Sequence, residues 1–161
     1  MITITRRLAR DAKSVFRRAL GFNRYHDAPP LKITAGEHGL TMRARQDTIA
    51  AEYHDPGPRE AGTVIVPFQF LLDCEGARHE EVTIEPPRDG HVFCRWQNGE
   101  VPQLLRYEHD QVADTEFPVA PAELVDNPPG LLKALRDAVD TSDPEPTRYA
   151  LSNVQLATRT K

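Results

Sequence analysis

The order of the predicted elements constrains the fold of this chain more than any other feature of its sequence. Short stretches in which apolar and polar residues alternate are typical of half-buried strands, and two stretches with helical periodicity interrupt them. Within the first 120 residues the order is one strand, one helix and three strands, and then the same order again. Loop residues such as Asp55-Pro56-Gly57-Pro58 and Asn98-Gly99 separate the strands. The pattern predicts an α+β domain with two helices packed on antiparallel sheet.

The first helix is predicted over residues 6–20, with Thr5 as its N-cap and Gly21 at its end. At 100° per residue its apolar face consists of Leu8, Ala12, Val15, Phe16 and Ala19. The opposite face carries four cations, which are Arg6, Arg10, Lys13 and Arg17. One side of the helix is therefore predicted to pack, and the other to present a row of positive charge.

The charge of the chain is unevenly distributed. All 161 residues together carry a net charge of −4, with 20 basic and 24 acidic residues. Residues 5–20 contain six bases and one acid, a local charge of +5, so the remainder carries −9. A row of long cations without interleaved aromatic residues attracts phosphates and reads no bases. The alternatives are a solvated helix face and a membrane-surface helix, for which this apolar face has few large side chains.

Several classes of protein are excluded by composition and motif. No apolar run approaches the roughly 18 residues of a membrane span, and the N-terminus lacks the apolar region of a secretory signal. Two cysteines make no disulfide framework, so a reduced, cytoplasmic setting is expected. The sequence has no nucleophile elbow, phosphate-binding glycine loop or His-Glu-x-x-His helix. We therefore expect a protein that is not an enzyme and needs no cofactor.

One set of residues has the composition of a zinc site. Cys74, His79, His91 and Cys94 lie within 21 residues of one another. His91 and Cys94 are three apart on a predicted strand, so their side chains should point to opposite faces. Cys74 completes the apolar face of the second predicted helix. We therefore predict no metal site, and a small zinc metalloenzyme is the weakest of the alternatives.

A third helix, predicted over residues 130–140 and followed by a strand at 148–156, repeats the pattern of the first helix. A shift of 123 residues aligns Leu8 with Leu131 and Phe16 with Val139. The same shift aligns Arg10 with Lys133 and Lys13 with Arg136, which gives these two cations the same predicted role. The predicted organisation is a domain over 1–120, a linker over 121–129 and a partial second copy over 130–161.

Three stretches resemble the bacterial DNA polymerase III β subunit, the sliding clamp. Thr63-Val64-Ile65-Val66-Pro67 with 68–74 is similar to a strand and the second helix of the first clamp domain. Glu116-Phe117-Pro118 resembles the end of that domain. Residues 131–135 with 147–153 resemble the opening of the second domain, where an Arg-Tyr-x-Leu-Asn-Gly pattern is usual. The resemblance implies the DNA clamp fold. Family members have three such domains per chain, of which this sequence covers roughly one and a third.

The resemblance also implies a function. Family members are processivity factors that bind double-stranded DNA without sequence preference, and they work with a DNA polymerase and a clamp loader. They close as head-to-tail dimers, so a head-to-tail homo-oligomer is expected. Arg24 matches an arginine that touches DNA, and Arg148 and Leu151 match part of the partner-peptide pocket. The sheets are expected to form an acidic outer shell while the helices face phosphates.

The sequence also departs from the family pattern. Ser152-Asn153 stands where Asn-Gly is expected, and Pro144-Glu145-Pro146 replaces polar residues that can approach DNA in relatives. The second helix carries Gln69, Asp73 and Glu75 but no cation on its exposed side. The peptide pocket of the family lies between the second and third domains, so a complete pocket is not expected here. The second hypothesis is therefore a shortened clamp-like module that closes no ring and binds a protein partner.

Overall fold

The computed structural model describes residues 1–22, 28–109, 117–119, 126–142 and 154. The chain separates into two compact units, Met1–Val119 and Ala120–Lys161. Within the described ranges, no helix combines the length and the apolar character that crossing a membrane requires.

The first unit contains eight strands and two helices. Its first half comprises β1 (Ile2–Thr5), α1 (Arg6–Leu20), β2 (Leu31–Gly36), β3 (Gly39–Gln46) and β4 (Ile49–Asp55). Its second half comprises β5 (Gly62–Val66), α2 (Gln69–Cys74), β6 (Glu81–Ile84), β7 (His91–Asn98) and β8 (Val101–Glu108). The predicted order of strand, helix and three strands, given twice, is confirmed. In the second unit the described residues include one helix, α3 (Leu131–Asp140).

The two halves exchange their first strands. One sheet has the order β1-β6-β7-β8 and the other the order β4-β3-β2-β5, and every pairing is antiparallel. We call them the first and the second sheet. Ile2 of β1 lies opposite Ile84 of β6, and Leu31 of β2 lies opposite Val66 of β5. Each sheet therefore contains three strands from one half and one from the other, so neither half completes a sheet alone.

The helices pack against the inner faces of the sheets and against each other. α1 lies on β3 and β4 of the second sheet, while Phe70 of α2 meets Tyr107 of β8 edge-on at 5.7 Å. Phe68 lies where the two helices meet. The centre of its ring is 6.4 Å from that of Phe16 in α1 and 4.8 Å from that of Phe22, which follows α1. Phe16, Phe68 and Phe70 are fully buried, and aromatic pairs of this kind contribute beyond their buried area.

The predicted bounds of α1 are confirmed, but its predicted buried face is partly wrong. The Thr5 hydroxyl accepts a hydrogen bond from the Leu8 N–H at 3.1 Å, and Gly21 ends the helix in the left-handed conformation. The buried residues are Leu8, Ala9, Ala12, Phe16 and Leu20, whereas Val15 and Ala19 are exposed. Because α2 covers one flank of α1, the buried stripe is turned by roughly 50° relative to the prediction, at 100° per residue.

The segment after the sheets is anchored on β3. The Arg43 guanidinium lies 4.8 Å from the centre of the Phe117 ring, a cation–π contact, and its Nε donates to Glu52 at 2.6 Å. Phe117 belongs to the Glu116-Phe117-Pro118 element, of which the structure describes the last two residues. The contact holds this segment against the second sheet.

Truncating Phe68 tests the importance of the aromatic junction. We expect Phe68→Ala to lower the free energy of unfolding by about 3–5 kcal/mol, because a fully buried ring is lost between two helices. Urea denaturation followed by circular dichroism measures the change. The control Val119→Ala truncates a side chain that is 95% exposed and should shift stability by less than about 0.5 kcal/mol. Equal shifts for the two variants would contradict this packing.

Candidate nucleic-acid interface

An open groove of about 580 Å³ runs along the polar side of α1. Its lining contains four cations, which are Arg10, Lys13, Arg17 and Arg18. The other lining residues are Asp11, Ser14, Gly21 and Phe22. One acid among four bases leaves the groove strongly positive, as an anion-binding surface requires.

The rotation of α1 about its own axis, relative to the sheet beneath it, decides which cations line this groove. The rotation that buries Ala9 and Leu20 brings Arg18 to the groove and moves the other flank of the helix toward α2. The sequence places Arg18 beside the predicted row rather than in it. Its role in the groove was therefore missed, and no periodicity signal could have found it without knowledge of what covers each flank.

Arg6 is not part of the exposed row, which corrects the prediction that it faces DNA. Its guanidinium donates to the carbonyls of Cys74 at 3.2 Å, Glu75 at 2.9 Å and Gln97 at 3.2 Å. It also donates to Asn98 Oδ1 at 3.2 Å and lies 3.7 Å from a Glu80 carboxylate oxygen. Only 13% of the side chain is exposed, so Arg6 ties the start of α1 to the end of α2 and to the β7–β8 hairpin.

The remaining predicted cations of α1 differ in how far they reach solvent. Arg10 is 46% exposed and lies 3.8 Å from Asp11, an ion pair that is weak at the surface. Arg17 is exposed in the groove. Lys13 is only 20% exposed because its ammonium group pairs with the carboxylate of Glu75, at the end of α2. Arg10 and Arg17 therefore present their charge to solvent, whereas the charge of Lys13 is balanced by Glu75.

The acids of α2 are partnered rather than free. Asp73 accepts hydrogen bonds from the Tyr107 hydroxyl at 2.9 Å and from the Gln69 amide at 2.8 Å. Burial, together with the bond to Asp73, raises the pKa of Tyr107, which keeps its hydroxyl a donor. Since Glu75 pairs with Lys13, α2 adds less negative charge to the groove than its sequence indicates.

Other predicted site residues lie elsewhere in the chain. Lys133 and Arg136 are exposed on α3 in the second unit, where Arg136 pairs with Asp140 at 3.9 Å. Arg24, Arg148 and Leu151 lie outside the described residues, as does the strand predicted at 148–156 apart from residue 154.

The four residues with the composition of a zinc site are in different surroundings. Cys74 and Cys94 are buried in the hydrophobic core, where burial raises the pKa of Cys94 to about 12 and that of Cys74 above its usual range. His79 is exposed near Arg7, and His91 is the first residue of β7, with its Nδ1 2.8 Å from the Asp89 carbonyl. The described residues contain no group of three or more His, Cys, Asp or Glu side chains placed to hold a metal ion.

The outer face of the second sheet is not acidic, which corrects the expected acidic shell. Lys32, Arg43 and Glu52 lie side by side across three strands, and Arg45 follows on the same face. Three bases and one acid therefore face outward from this sheet. The outer face of the first sheet is closer to the expectation, since it carries Glu81 and Glu108 with Arg95 and Arg106, and Glu85, directly after β6, pairs with Arg95.

Solved structures place this architecture in a known class. The fold is that of the bacterial β sliding clamp. A Helicobacter pylori β clamp bound to a DNA ligase peptide superposes with a TM-score of 0.62 at 15% sequence identity, over 91% of this chain and 42% of that chain. The β subunit of DNA polymerase from Streptococcus pyogenes gives a TM-score of 0.61 at 16% identity, over 91% of this chain and 40% of that chain.

The likeness is structural and partial. The chain spans about two fifths of the length of the clamps it matches. No protein-family model matches the sequence, and no curated protein sequence matches it. The clamp fold expected from the resemblance is confirmed.

Replacing Arg6 tests its structural role. We expect Arg6→Ala to lower the free energy of unfolding by about 2–4 kcal/mol, because several charge-assisted hydrogen bonds to partly buried carbonyls are lost. Thermal and urea unfolding measure this, with Arg10→Ala on the same helix as the matched control, expected within about 1 kcal/mol of the unsubstituted chain.

A second variant tests the same anchor from the other side. A Cβ atom at Gly76 would lie 2.8 Å from Arg6 Nε and 2.9 Å from Arg6 Cζ. Gly76→Ala should therefore displace the guanidinium and destabilise the chain as well. If both Arg6→Ala and Gly76→Ala leave stability unchanged, Arg6 is not an anchor.

Proposed function

We propose that this chain is a clamp-type DNA-tracking protein, acting as a processivity factor in replication or as part of one. The observation that carries the proposal is the groove on α1, where four cations meet on a helix of a β-clamp fold. The proposed role is accessory rather than catalytic, as the resemblance to the clamp family implies. The chain covers about two fifths of those clamps, so a complete ring requires further domains.

The chemistry of the groove suits duplex DNA held by its backbone. Guanidinium groups on long side chains bind phosphate oxygens without reading base edges. The binding energy of such contacts is electrostatic and independent of sequence, which allows a protein to move along the duplex. Ser14, between the cations of α1, supplies a neutral hydroxyl that can donate to phosphate.

Protein partners belong to the same proposal. One neighbouring clamp is bound to a DNA ligase peptide, and another is a subunit of a DNA polymerase. We propose that this chain likewise works with a DNA polymerase and a clamp loader in the cytoplasm. Lys133 and Arg136, Arg24, and the partial peptide pocket of Arg148 and Leu151 remain predicted contacts with DNA or partners.

A salt titration tests DNA binding. The logarithm of the binding constant should fall linearly with the logarithm of the salt concentration, by about 0.9 per phosphate contacted. We expect Arg10→Gln combined with Arg17→Gln to weaken binding and to reduce the magnitude of that slope by about 1.8, since two contacts are lost. Fluorescence anisotropy with a short labelled duplex of mixed sequence measures both quantities.

The matched control removes positive charge outside the groove. Arg88 is exposed in the turn between β6 and β7, and Arg88→Gln is expected to leave the slope unchanged. If the unsubstituted chain shows no salt-dependent binding, or if the double variant binds as well as the Arg88→Gln control, the groove is not a DNA interface.

We also propose that β8 mediates head-to-tail self-association. β8 is an edge of the first sheet, and three of its apolar side chains are exposed, namely Val101 (59%), Leu104 (55%) and Leu105 (37%). An edge strand has unpaired backbone groups that can pair with another strand. β4 is an edge of the second sheet, and its Ile49 is exposed. We expect β8 of one copy to pair with β4 of the next copy, which is a heterologous contact.

A charge at the β8 edge tests this contact. We expect the unsubstituted chain to show a mass that rises with concentration in size-exclusion chromatography with light scattering, and Leu104→Lys to remain a monomer. The control Thr34→Lys puts the same charge on the exposed face of β2, which is an interior strand, so a chain with this substitution should still self-associate. A chain that is monomeric at every concentration contradicts self-association and favours the shortened protein-binding module.

A further inference from the structure

Glu75, the residue directly after α2, pairs with Lys13, which is one of the four cations that line the groove. Its carboxylate pairs with the Lys13 ammonium, and the two side chains are 31% and 20% exposed. Arg10, one turn earlier on α1, is 46% exposed. The pair therefore lies at the edge of the groove, partly withdrawn from solvent but within reach of an anion that enters it.

The backbone holds Glu75 in this place. α2 ends at Cys74, and Glu75 takes an extended conformation with φ of −59° and ψ of 151°. The Glu75 carbonyl accepts a hydrogen bond from Arg6 at 2.9 Å, and the next residue, Gly76, donates its N–H to the Arg6 carbonyl at 3.1 Å. These two bonds hold the peptide group after the Glu75 Cα, and the bond from Arg6 Nε to the Cys74 carbonyl at 3.2 Å holds the peptide group before it.

Arg6 does not compete with Lys13 for that carboxylate. Its donors are taken by backbone carbonyls, by Asn98 and by Glu80, so the Glu75 side chain is left to Lys13. A fixed, partly buried carboxylate loses little conformational entropy when it pairs with the ammonium group. A phosphate oxygen uses the same kind of charge-assisted bond, and it has to displace the carboxylate or share the ammonium group with it.

We propose that Glu75 is a built-in competitor for phosphate, which keeps Lys13 from contacting DNA and so limits the affinity of the groove. The inference rests on the proposed DNA-binding function and deepens it by naming the residue that sets its strength. In a protein that tracks along DNA, weaker phosphate contacts favour movement over arrest. Glu75 is a regulating residue in this proposal, since it acts on DNA through Lys13.

Neutralising Glu75 tests the competition. We expect Glu75→Gln to release Lys13 for one additional phosphate, which increases the magnitude of the salt slope by about 0.9 and the affinity near 0.1 M salt roughly tenfold. The control Glu85→Gln makes the same change of net charge at a partly buried, ion-paired carboxylate that pairs with Arg95 at 2.8 Å, outside the groove. Its slope should equal that of the unsubstituted chain.

A double variant shows whether the effect passes through Lys13. In the Glu75→Gln background, Lys13→Gln should remove the whole gain. The same slope for Glu75→Gln and Glu85→Gln overturns the competition. So does a gain that survives Lys13→Gln, because a merely electrostatic effect of Glu75 would not need that lysine.

The proposed function and this inference fail in different ways. If the unsubstituted chain binds DNA and loses binding with Arg10→Gln and Arg17→Gln, while Glu75→Gln has no effect, only the competition is overturned. If neither the unsubstituted chain nor Glu75→Gln binds DNA with any dependence on salt, both are overturned.

Discussion

The exchange of first strands between the two halves is the constraint on which the rest of the structure depends. Because β1 completes the sheet of the second half and β5 completes that of the first, each helix begins beside a sheet built mostly by the other half. The exchange buries Ile4 and Val66 at the starts of the two helical connections. It also brings α1 and α2 into contact, so that their aromatic residues share one core.

That arrangement explains why one helix provides both an anchor and a charged groove. The start of α1 lies against the end of α2, where unpaired backbone carbonyls require donors, and Arg6 supplies them. Farther along α1, contact with α2 covers only one flank, and the opposite flank remains open as the groove. Lys13 lies between these two environments, which is why an acid at the end of α2 reaches it.

Much of the fold could be predicted because its signals are local. The alternation of apolar and polar residues predicted the strands, and Thr5 and Gly21 predicted the ends of α1. The repeated order of elements predicted the architecture. The sequence has no signal for the contact that ends α2, where Glu75 leaves the helix and Gly76 donates its N–H to Arg6, because these residues are distant in the chain. The outer charge of the second sheet was also missed, because net charge does not indicate which strands lie side by side.

The sequence by itself determined that a basic, amphipathic helix belongs to an α+β domain of repeated halves, because periodicity and capping depend only on neighbouring residues. Only the tertiary structure decided which cations are available. The amphipathic pattern of a helix does not fix its rotation about its own axis. Packing on α2 and on the second sheet fixed the rotation of α1. The same row of residues therefore divides into an anchor at Arg6, a paired lysine at Lys13 and exposed arginines at Arg10 and Arg17.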